Sequence, residues 1–255
     1  QHVKQNVYQY YSYNSEDSTI WRYGELGFDY FRGKSVSIIY DLDLRKREYV
    51  MNMLPGNGLK LHGNVTYEWN QFMDGFSVSE KHSTFGANFV PHNTLRITAQ
   101  AERHFTLNRE KKIVASISAA GGVLSNPEVD DFFHFFGGGL SGIKGYTFYD
   151  SRLTGPYYFI GTMAMRFPLL LEKNYSLAQF NFQNLSLGGI FQFGDASNEG
   201  FAEFVDNYKL SAGLECRLHG FSFYSYPTAV AYEFHQSLSD PKEKGKHYFT
   251  LLFDY

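Results

Sequence analysis

From Tyr208 to His219 apolar and polar residues alternate without a break. Tyr208, Leu210, Ala212, Leu214, Cys216 and Leu218 share one phase, and Lys209, Ser211, Gly213, Glu215, Arg217 and His219 share the other. Period two is the signature of a half-buried strand, because successive side chains of an extended backbone leave on opposite faces. The same rhythm recurs along the whole chain, at 7–13, 24–30, 36–42, 59–69, 77–89, 95–102, 113–121, 159–170, 182–193, 228–235 and 247–255. Turn-forming residues separate the runs: Arg32-Gly33-Lys34 predicts a hairpin, and Pro55 to Gly58, Met73 to Gly75, Pro91-His92-Asn93 and Asn108 to Glu110 predict further reversals. The reading is an all-β antiparallel protein of about 12 strands, with residues 1–255 as one domain.

Alternation alone fits a soluble sandwich as well as a membrane barrel. Composition separates the two. Aromatic residues make up 18% of the chain, with 20 Tyr and 25 Phe, an amount suited to the interfacial girdles of a transmembrane β-barrel. Mean hydropathy is only −0.35, and apolar runs such as Pro168-Leu169-Leu170-Leu171 are far too short for a membrane helix. Connections alternate between long polar ones (122–158, 194–207, 237–246) and shorter ones (32–34, 107–112), as in barrels with long outer loops and short inner turns. The connection at 91–93 fits that scheme worst. The opening QHVKQNVYQ has no apolar export core, so the expectation is a mature chain or a portion of a longer one.

One segment breaks the rhythm. Residues 132–168 read FFHFFGGGLSGIKGYTFYDSRLTGPYYFIGTMAMRFP, placing Gly137, Gly138, Gly139, Gly142 and Gly145 between a phenylalanine cluster and Arg166-Phe167-Pro168. The order aromatic-Gly-Gly, then Ser-Gly-Ile-Lys-Gly-Tyr, then Arg-x-Pro resembles the C-terminal barrel of the outer membrane protein 85 superfamily, the bacterial surface antigen barrels. The resemblance covers residues 132–255 best and implies several things. The loop at about 122–158 would fold into the lumen, with Gly142, Ile143, Lys144, Gly145 and Tyr146 at its tip in place of a Val/Ile-Arg-Gly-Phe/Tyr tetrad. The tip would dock on the barrel wall near Arg166 and Gln192. Ala164 stands where the family has glutamate, and Gln192 where it has aspartate, which predicts that Lys144 meets a neutral amide rather than a carboxylate. The ending, with Phe249, Leu251, Phe253 and Tyr255 in one phase, resembles the C-terminal signal strand of bacterial outer-membrane proteins. A family barrel has about sixteen strands, so this chain would be its C-terminal part or a shortened relative.

Little in the sequence points to catalysis. The nine histidines are scattered singly; His62, His219 and His235 fall in polar phases, and no metal-binding spacing or nucleophile elbow occurs. Asp130-Asp131 and Asp41 with Asp43 are read as loop or lumen charges rather than calcium ligands. Cys216 is the only cysteine and is read as a small apolar side chain. With a net charge of −3 the chain has no electrostatic footprint for nucleic acid. The expectation is a multi-pass barrel of the bacterial outer membrane that is not an enzyme and needs no cofactor. Its partners would be outer-membrane lipids and client or partner envelope proteins, and its role the insertion or translocation of proteins. A passive channel or structural envelope component is the alternative, and an outer-membrane hydrolase the third.

Overall fold

The computed structural model describes residues 2–15, 18–45, 57–79, 84–198, 200, 208–223, 226–240 and 242–253. The chain is all-β. Its strands are β1 (His2–Asn14), β2 (Thr19–Asp43), β3 (Gly58–Ser79), β4 (Thr84–Asn108), β5 (Ile113–Leu124), β6 (Phe135–Phe136), β7 (Thr154–Gly155), β8 (Tyr157–Leu170), β9 (Tyr175–Leu177), β10 (Phe180–Ser197), β11 (Lys209–Ser222), β12 (Tyr226–Ser237) and β13 (Lys246–Phe253). One antiparallel sheet runs β1-β2-β3-β4-β5-β8-β10-β11-β12-β13, with β9 added beside β10, while β6 and β7 pair separately. Among the described residues this path is open, with β1 at one edge and β13 at the other.

Ten strands lie along that path where the alternation predicts about twelve. The hairpin expected at Arg32-Gly33-Lys34 is absent: Gly33 pairs with Asn70 and Lys34 with Trp69 inside β2, 25 residues long. The turn expected at Pro91-His92-Asn93 is likewise internal to β4, with Pro91 opposite Gln71. Proline is tolerated there because β5 pairs with β4 only from Arg96 onward, which leaves the upper part of β4 an edge. Met73 to Gly75 forms not a reversal but a bulge in β3, where the register to β4 shifts and Gly75 takes φ +92°. With 91–93 inside a strand that connection does not exist, yet the loop alternation is not regular: the short β1–β2 and β3–β4 links lie at the same end of the sheet as the long β5–β8, β10–β11 and β12–β13 connections, and the long link from Asp43 to Gly58 lies at the other end.

The two faces of the sheet differ sharply. Val36, Ile38, Val65, Tyr67, Ile97, Ile117, Met163, Phe191, Leu214, Phe249 and Leu251 are exposed on one face. The opposite face carries Thr66, Thr94, Ser116, Ser186, Gln192, Ser211, Glu215, Glu233 and His235, all buried. A water-soluble sheet has the reverse arrangement, apolar side chains inside and polar ones out. No second layer of sheet or long helix covers the polar face among the described residues; the longest helical pieces are the three-residue turns Asp131–Phe133 and Ser151–Leu153. The β5–β8 connection lies against this face and covers part of it. Cys216 sits in the apolar phase of β11, opposite Leu187 and Tyr232.

Candidate functional site

Residues 125–156 leave β5, cross the polar face and return to β8. Their first anchor is aromatic. Asp130 caps the turn Asp131–Phe133 by accepting from the Phe132 N–H at 2.9 Å, which aims Phe133 into a cluster with Phe31, Leu124 and Val129. Phe72 meets both Phe132 and Phe133 edge-on, at centroid distances of 5.5 and 5.4 Å. Arg96 of β4 donates to the Phe133 carbonyl at 2.6 Å, bonds Glu68 at 3.2 Å and lies over the Phe135 ring. The loop is thereby fixed to β2, β3 and β4.

Its tip is fixed on the same face to the strands at the other end of the sheet, β10 to β13. The Ile143 N–H donates to the Gly137 carbonyl at 2.7 Å, closing the glycine-rich stretch on itself, and Ile143 is fully buried with Tyr146, Leu153 and Ile160. Gln192 of β10 holds two backbone groups: its Oε1 accepts from the Lys144 N–H at 2.9 Å and its Nε2 donates to the Gly142 carbonyl at 3.3 Å. Gly145 has φ +97°, and a Cβ there would come within 3.1 Å of the Ser237 nitrogen, so no other residue fits without strain. Its N–H donates to the Tyr248 hydroxyl at 3.0 Å. The Tyr146 hydroxyl accepts from Ser237 Oγ at 2.7 Å and donates to the Leu210 carbonyl at 3.3 Å.

The charged contact differs from the sequence expectation. The Lys144 ammonium does not rest on Gln192; it forms an ion pair with Glu233 of β12, whose carboxylate also meets His235 Nε2 at 2.9 Å. A carboxylate therefore does receive the cation at the loop tip, from a different strand, while the amide at 192 serves the backbone.

Arg166 follows the same logic. It reaches over β10 to Glu215 of β11, with Nε at 2.7 Å and Nη2 at 3.3 Å from the two carboxylate oxygens, and Nη1 lies 3.4 Å from Ser116 Oγ. The residue between them in the cross-strand row is Gly188, where a Cβ would stand 3.1 Å from Arg166 Cγ. Arg217 adds a second guanidinium to Glu215 at 2.7 Å. The row runs Val114, Arg166, Gly188, Glu215, Glu233, Tyr248 across six strands. One line of residues thus holds both the buried ion-pair network and the seat of the loop tip. Glu215, Glu233 and Tyr248 are not identified by sequence reasoning. Each sits in a polar or aromatic phase, but only register shows that they align.

A third anchor lies at the loop's outer end. Arg152 pairs with Asp150 at 2.7 Å, Asp240 at 3.0 Å and Glu243 at 2.5 Å, joining the loop to the β12–β13 connection. The Arg152 guanidinium holds the Asp150 carboxyl below its ordinary 3.8. Elsewhere on the polar face Ser186 Oγ lies 3.0 Å from His219 Nε2, both side chains shielded from solvent, so the pair ties β10 to β11. Asp41 meets His62 at 2.5 Å and Asp43 holds Arg45, and no cluster with metal-binding character occurs among the described residues.

At the C-terminal end Phe249 and Leu251 lie on the apolar face opposite Tyr232 and Val230. Phe253 continues the backbone ladder opposite Thr228; its side chain and Tyr255 fall outside the described residues. No protein-family model, no curated protein and no solved structure matches this chain.

Proposed function

We propose that this chain forms the wall of a transmembrane β-barrel in the bacterial outer membrane and acts, through its glycine-rich loop, in the insertion or translocation of envelope proteins. The observation that carries the reading is the loop tip held on the shielded polar face, with Lys144 on Glu233 and Gly145 on Tyr248, while the opposite face bears bare apolar side chains. An apolar exterior around a polar interior is the arrangement a bilayer demands. Backbone groups on an open edge have no partner in hydrocarbon, so in a bilayer the edges must be satisfied by one another, by further strands or by a second chain. Among the described residues the loop is the connection that lies on the polar face, and its anchors reach from β2, β3 and β4 to β10, β12 and β13, so a movement of either group of strands acts on it.

The test is reconstitution into liposomes, with single-channel conductance recorded beside insertion of an unfolded outer-membrane client. Accelerated client insertion, lost on Lys144→Ala, is expected. A steady ion-selective conductance with no acceleration would replace the translocase by a passive channel.

A further inference from the structure

On the apolar face, β2, β3 and β4 align in cross-strand rows whose character changes at one level. The rows Ile38, Val65, Ile97 and Val36, Tyr67, Leu95 are wholly apolar. The next two rows toward the long-loop end are Lys34, Trp69, Asn93 and Arg32, Gln71, Pro91. These six line a groove of about 700 Å³, open to the outside, immediately above the apolar belt. Arg32 shares its charge with Asp29 at 2.8 Å and stacks on Phe89 at 4.3 Å, which fixes its guanidinium at the upper wall. No ion pair of Lys34 occurs among the described residues. Trp69 packs edge-on to Tyr67 at 4.6 Å, placing an indole at the step between apolar and basic rows.

We propose that this groove binds the phosphate headgroup of an anionic lipid whose acyl chains lie on the rows below. The inference rests on the membrane reading above and extends it to one site. Three observations converge on a lipid rather than a free anion. Lys34 stands one row and Arg32 two rows above an exposed hydrocarbon-like surface; a tryptophan marks the boundary, as it does at bilayer interfaces; and Gln71 and Asn93 offer neutral donors beside the charges. A free phosphate would use the cations and leave the apolar rows unexplained. β3 carries Leu59, Leu61, Gly63, Val65, Tyr67 and Trp69 in its apolar phase, about the ~10 residues a tilted spanning strand needs, so the groove falls where headgroups lie.

The experiment uses the full chain in phosphatidylcholine nanodiscs with and without phosphatidylglycerol, and in detergent titrated with short-chain phosphatidylglycerol or with inorganic phosphate, binding being read from tryptophan fluorescence. Expected is saturable binding of the anionic lipid, weakened about tenfold or more in the double variant R32Q/K34Q and unchanged in K242Q/K244Q, which removes equal charge from the β12–β13 connection. Equal weakening in both variants, or none in R32Q/K34Q, would overturn the groove while leaving the membrane reading intact. Inorganic phosphate binding as tightly as the lipid would overturn the lipid assignment. A chain that stays out of nanodiscs and remains monodisperse in detergent-free buffer would overturn the membrane reading itself, and the groove with it.

Discussion

At Gly145 the backbone holds φ +97° against Ser211 and Ser237, a conformation an L side chain rarely takes. Gly145→Ala should cost about 1–3 kcal/mol through strain and loss of the bond to Tyr248. Gly189→Ala, with nothing within 4 Å of the added methyl, should shift stability little. Unfolding of the detergent-held protein in urea reads both. The ion pair at the loop tip ranks its partners. Glu233 serves both Lys144 and His235, so Glu233→Gln strands two polar groups in a shielded site and should cost about 3 kcal/mol, whereas Lys144→Met leaves the carboxylate with His235 and should cost less. Lys144→Arg should retain most of the contact, since the carboxylate can take a guanidinium. A larger loss for Lys144→Met than for Glu233→Gln would show that the carboxylate depends chiefly on Lys144 and that His235 does not compensate it.

Each element shows what was legible in the chain and what was not. The alternation from Tyr208 to His219 locates β11 to within one residue at its start and three at its end, since one polar and one apolar phase leave little room for another structure. The turn chemistry of Arg32-Gly33-Lys34 and Pro91-His92-Asn93 predicts reversals inside what are the single strands β2 and β4. The corrective signal was present: Arg32 and Lys34 keep the phase of Val36 and Ile38, and Pro91 and Asn93 keep that of Leu95 and Ile97. A true reversal has no reason to preserve phase. The docked loop was legible as a unit from its glycines and phenylalanines, but its partners were not, because the contact at Glu233 depends on how three later strands slide against one another. The loop's outer clasp gives a prediction at this scale. Arg152→Ala should change global stability by only about 1 kcal/mol, as the guanidinium is exposed although the Asp150 carboxylate beneath it is buried, yet speed protease cleavage between residues 125 and 156. Because the Asp150 pKa is depressed in the fold, its contribution is complete above its ordinary 3.8 and is lost as pH falls through the lower folded value. Cleavage should therefore be flat from neutral pH to about pH 4 and rise only below it, a rise that Arg152→Ala abolishes.

For the whole molecule the decisive property is the inversion of its faces, and a single substitution weighs it. Ile117 lies in the middle of the exposed apolar face, level with Met163 and Phe191. In a bilayer Ile117→Lys should cost about 2–4 kcal/mol, against about 0.5 kcal/mol or less for an exposed site in water. Unfolding from lipid vesicles and from detergent-free buffer distinguishes the two. The placement of the loop has a consequence for the order of events. Lys144 finds its carboxylate 89 positions later and Gly145 its hydroxyl 103 positions later, in β12 and β13, which are synthesised after the loop. The loop tip cannot come to rest until the β12–β13 hairpin exists, so the seating of those few residues reports that the hairpin has formed: a molecule cut short before Tyr248 would carry the tip loose.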